Sequence, residues 1–69
     1  MKLYDDLQKT RDEIKSITVA TNDLAVAYRD LPDDACRQRR IMYALHAGLA
    51  CQLYMAKRRE AYIQRELGL

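Results

Sequence analysis

Residues able to carry chemistry are scarce in this sequence. It holds one histidine, two cysteines and a single serine, Ser16. His46, Cys36 and Cys51 are spaced by five and ten residues, and on one helix that spacing cannot converge on a metal ion. No glycine-rich loop precedes a helix to cradle a phosphate. Asp5, Asp6, Asp12 and Glu13 form paired acids, but Lys2, Lys9 and Lys15 stand beside them at helical spacing, the pattern of a solvated charged surface. A carboxylate di-metal bundle would need Glu-x-x-His on facing helices, whereas Tyr43 stands three residues before His46. The sequence therefore predicts no enzyme, no metal, no cofactor and no small-molecule substrate.

Long apolar runs are missing as well. The longest, Ile41 to Ala56, is sixteen residues interrupted by His46 and Gln52, short of the ~20 that cross a bilayer. The opening Met1-Lys2-Leu3-Tyr4-Asp5-Asp6 has no apolar segment of a leader. Cys36 and Cys51 fall on one expected helix, roughly 22 Å apart, too far for a disulfide. Two buried, reduced thiols in a cytoplasmic protein with no membrane contact are the expectation. Net charge is only +2, which by itself names no polyanionic partner.

What fills the sequence is helix-forming residues, broken once at Asp30-Leu31-Pro32-Asp33. Leu3, Leu7, Thr10, Ile14, Ile17, Thr21, Leu24 and Tyr28 recur at alternating spacings of four and three, a stripe that packs against one neighbour. This predicts helix 1 over about residues 3–29, with Lys2, Lys9, Asp12, Lys15, Ser16 and Asp23 in solvent. Pro32 lacks an amide hydrogen and disfavours helix in the residue before it. The reading places a turn at about 30–32, with Asp30 capping helix 2, which runs over about residues 31–66. The chain is then one all-α domain, residues 1–69, folded as an antiparallel hairpin. Helix 2 comes out longer by roughly 13 Å, so residues 60–67 should overhang, and Asp5 and Asp6 should lie near position 55.

Helix 2 is apolar over roughly 200° of its circumference, about twice what one partner helix covers. Met42, Leu45, Leu49 and Ile63 are assigned to helix 1. Ile41, Ala44, Gly48, Cys51 and Met55, rich in small residues, are assigned to a second copy, paired two-fold near Gly48. A 69-residue chain is marginal alone, and such pairing predicts a homodimeric four-helix bundle, with larger assemblies left open.

Two surface patterns bear on partners. Arg39, Tyr43, His46, Tyr54 and Lys57 share an outward stripe; tyrosine with flanking cations suits a protein interface. Arg37, Arg39, Arg40 and Lys57, Arg58, Arg59 form basic clusters that would merge in the two-fold pair, the footprint nucleic acid needs. The leading expectation is a small cytoplasmic adaptor or regulator of the kind phages and plasmids encode, engaging a larger protein partner. The alternative is a nucleic-acid-binding bundle. Its layout, though no motif, is similar to the Rop-type RNA-binding hairpin dimers, and that likeness implies RNA contact through the arginine clusters.

Overall fold

The computed structural model describes residues 2–69. Met1, part of the expected 1–69 domain and of the leader reading, lies outside the described residues. Two helices, α1 (Lys2–Arg29) and α2 (Cys36–Leu67), pack against each other, and there is no strand among the described residues. The molecule is a rod of 52 × 15 × 14 Å.

In α1 the expected stripe is the seam. Leu7, Thr10 and Ile17 are buried, Leu3, Ile14, Thr21 and Leu24 half-buried, and Tyr28 is exposed near the turn. Thr10 and Thr21 sit in this seam because each hydroxyl donates to the carbonyl four residues back, Asp6 and Ile17, at 2.8 Å. Their hydrogen-bonding need is met inside the helix, so the seam buries a threonine without an orphaned polar atom. From α2 come Ala56 and Ile63, buried, with Met42, Leu49, Leu53 and Leu67 half-buried. Leu45, assigned by sequence to this seam, is 55% exposed.

The connection is longer than the sequence predicts, and α2 starts at Cys36 rather than near Leu31. Asp30 is not its cap. Its amide donates back to Val26 at 3.1 Å, completing α1, and Ala35 holds the N-cap position without a side-chain cap bond. Reversal takes place over Pro32-Asp33-Asp34-Ala35, closed by the Ala35 amide on the Pro32 carbonyl at 3.1 Å. Ala35 is buried and Leu31 half-buried, so the turn plugs the end of the seam instead of opening a helix there. Arg39 fastens it, donating to the carbonyls of Pro32 at 2.7 Å and Asp33 at 2.8 Å.

Starting later, α2 is 32 residues long against 28 for α1, a difference of only about 6 Å. The expected overhang of residues 60–67 is absent: Ile63 is buried, Leu67 half-buried, and Glu60 pairs with Arg11. The shift also sets Asp6 beside Arg59, Tyr62 and Ile63 rather than near position 55. Beyond Leu67 the helix stops because Gly68 turns left-handed, φ 76°. Its amide bonds to Arg65 and that of Leu69 to Gln64, a closure that favours glycine.

Both cysteines are exposed free thiols, not the buried thiols expected. Cys36 opens α2 at its exposed edge, and Cys51 lies on the side of α2 that α1 does not cover. No helix among the described residues is long and apolar enough to cross a membrane.

Candidate functional site

Among the described residues only five apolar ones are buried: Leu7, Ile17, Ala35, Ala56 and Ile63. A compact monomer of 8.1 kDa exposes about 4,500 Å², whereas this hairpin exposes 5547 Å². The surplus of about 1,000 Å² follows from the rod shape, and the large exposed apolar side chains include Ile41, Tyr43, Leu45, Tyr54, Met55 and Tyr62 of α2.

The first open surface is the side of α2 turned away from the seam. Ile41 is 54% and Met55 53% exposed, and Ala44, Gly48 and Cys51 are exposed with them. Leu45 and Tyr62, both exposed, flank this face, Tyr62 also bordering Asp6 of α1. A side chain built at Gly48 would meet nothing within 4 Å, so the glycine leaves an open notch in the helix surface. All five residues assigned by sequence to an oligomer interface are therefore uncovered in the single chain.

The outward stripe does not behave as one unit. Arg39 is half-buried and engaged with the turn, with Asp33 Oδ1 3.8 Å from its Nη2; its role in this fold is to hold the connection. Tyr43 and His46 meet α1 in a groove of about 350 Å³, lined also by Leu24, Ala25, Tyr28 and Met42. Tyr43 is 73% exposed, so it forms a wall rather than a plug. Three turns along, Tyr54 is exposed and carries the Arg58 guanidinium 5.8 Å from its ring centre, a cation–π contact. Lys57 is exposed beside it. The structure thus gathers Tyr43 and His46 and leaves Tyr54 and Lys57 apart. It adds Tyr28, which the heptad pattern had assigned to the core; its position next to the turn, where the seam runs out, was the available signal.

The basic clusters divide in a similar way. Arg59 Nη1 lies 2.9 Å from Glu13 and Arg39 near Asp33, while Arg37, Arg40, Lys57 and Arg58 have no ion pair among the described residues. With Asp33 and Asp34 in the turn, α2 carries seven basic and two acidic side chains. Its outer surface is accordingly more basic than the net charge of the chain suggests. No group of three or more His, Cys, Asp or Glu side chains gathers at one point among the described residues.

No family model, no curated protein and no solved structure matches this chain.

Proposed function

We propose that this chain is a small non-enzymatic binding protein that self-associates along α2 into a four-helix bundle and engages a larger protein partner as a cytoplasmic adaptor or regulator. The observation that carries the reading is the row of exposed apolar side chains on α2, divided between an apolar face and a tyrosine-walled groove. A face rich in aliphatic and small residues suits a helix of the same kind. The groove beside Tyr43, His46 and Tyr28 suits one or two anchoring side chains of a partner, at the small end of the usual pocket range.

The test separates stability from affinity. Tyr43→Ala with Tyr54→Ala removes exposed rings, so the melting temperature should stay within a few degrees of the parent. Retention of a defined protein from cell lysate, resistant to nuclease and to 0.5 M salt for the parent, should be lost in the double variant. A double variant that unfolds, or that retains the protein fully, overturns the assignment of these tyrosines.

Arg37, Arg40, Lys57 and Arg58, which have no ion pair among the described residues, favour one second reading, a nucleic-acid-binding bundle. In that case retention would vanish with nuclease, and binding would weaken steeply as salt rises.

A further inference from the structure

We infer that the occupant of the open α2 face is a second copy of this chain, packed antiparallel about a two-fold axis between Cys51 and Gln52. The inference rests on the self-association proposed above and fixes its register. The uncovered apolar stripe runs from Ile41 to Tyr62 and α2 from Cys36 to Leu67; both spans have their midpoint between residues 51 and 52. Pairing there covers the whole stripe and overlaps the helices end to end. A pairing centred on Gly48 would instead carry Tyr62 and Glu66 past the start of the other α2, onto its turn.

Side-chain chemistry selects the same register. It sets Met55 of each copy level with Gly48 of the other, so a flexible thioether meets the open notch. Ile41 falls level with Tyr62 of the second copy. Arg37 falls level with Glu66 of the second copy, and neither has an ion pair within the chain among the described residues. Centred on Gly48, Arg37 would face Arg59, and Glu66 would face Asp30, like charges at both ends.

The register has a consequence that a pairing centred on Gly48 does not share. The two Cys51 residues flank the axis on the same side of the helix pair, offset along it by only about 1.5 Å. With small residues at Ala44 and Gly48 letting the axes approach to about 8 Å, their Cα atoms come within the about 5–6 Å a disulfide spans. Centred on Gly48, the same residues would be displaced by about 9 Å along the axes, beyond bridging.

The experiment uses the full chain carrying Cys36→Ser, with Cys51→Ser as control, at micromolar concentration with diamide. Two Cys51 thiols lose two electrons and two protons to one diamide, which becomes the hydrazine as the S–S bond forms. We expect a disulfide-linked dimer from the Cys36→Ser chain at least ten-fold faster than from the control. Arg37→Glu alone should weaken the dimer roughly five-fold, and Arg37→Glu with Glu66→Arg should restore it, as two surface ion pairs imply. Sedimentation equilibrium showing a dimer whose Cys51 cross-links no faster than the control, or that Arg37→Glu tightens, overturns the register and leaves self-association standing. A chain that stays monomeric at all concentrations removes both.

Discussion

The half of the hairpin away from the turn is closed more tightly than the half beside it. Leu7, Thr10, Ala56 and Ile63 are buried in the first half, with Ile17 buried near the middle, and the cross-helix pairs Arg11–Glu60 and Arg59–Glu13 flank that seam on either side. Towards the turn the helices present Leu24, Met42 and Leu49 only half-buried and Tyr28 and His46 exposed; each half carries a groove beside the seam, and the one near the turn is the more apolar in its lining residues, Leu24, Ala25, Tyr28 and Met42 among them. Side-chain size explains the contrast. The buried positions of the first half combine the large Leu7 and Ile63 with the small Thr10 and Ala56. In the turn half Ala25 lies in the groove beside Leu24 and Met42, and so short a side chain leaves space between two helices unfilled. Both open surfaces of α2, the apolar face and the tyrosine-walled groove, extend into this half.

The largest effect that would break the contrast is a core truncation. Ile63→Ala should cost about 2–4 kcal/mol in urea unfolding, while Leu24→Ala should cost about half as much, because its site is already partly solvated. Equal losses would mean that the turn half is packed as tightly as the other. Next comes Gly48→Leu, where the two levels of structure pull in opposite directions. Replacing glycine within a helix favours the isolated hairpin by about 0.5–1 kcal/mol, whereas overpacking at a paired face costs about 1–3 kcal/mol. Sedimentation should therefore show weaker assembly while helicity by circular dichroism is kept or raised.

Arg39→Ala sharpens the contrast at the turn itself. It strips the donors from the carbonyls of Pro32 and Asp33, and since both remain near water the expected loss is about 1 kcal/mol. Hydrogen exchange should quicken first at the start of α2 and leave the amides around Ile63 protected. Smallest is the Glu13→Gln and Glu60→Gln pair, which removes two partly exposed ion pairs at an expected cost of about 0.5–1 kcal/mol, shrinking as salt is added.

The heptad spacing of α1 was enough to identify its buried face from Leu3 to Leu24, because one stripe facing one neighbour leaves a single solution. Proline placed the break between the helices for a similarly local reason. Likewise, the excess apolar arc of α2 marked Ile41, Gly48 and Met55 as left over once α1 had taken its share. These are statements about period and steric rules that hold whatever the rest of the chain does.

Where α2 begins, and hence what its middle is, was settled only by the tertiary fold. Asp30, Leu31 and Pro32 make an acceptable helix start in isolation. In the hairpin, Ala35 and Leu31 are needed to cover the end of the seam, and the chain must cross between two helix axes before it can coil again. Exposure of the cysteines depends in the same way on where α1 lies along α2, as does the engagement of Arg39 with the turn and the meeting of Tyr43 and His46 with Tyr28. Helical periodicity assigns a residue to a face, but which faces are covered depends on the position and register of the neighbouring helix, and that is a property of the packed pair.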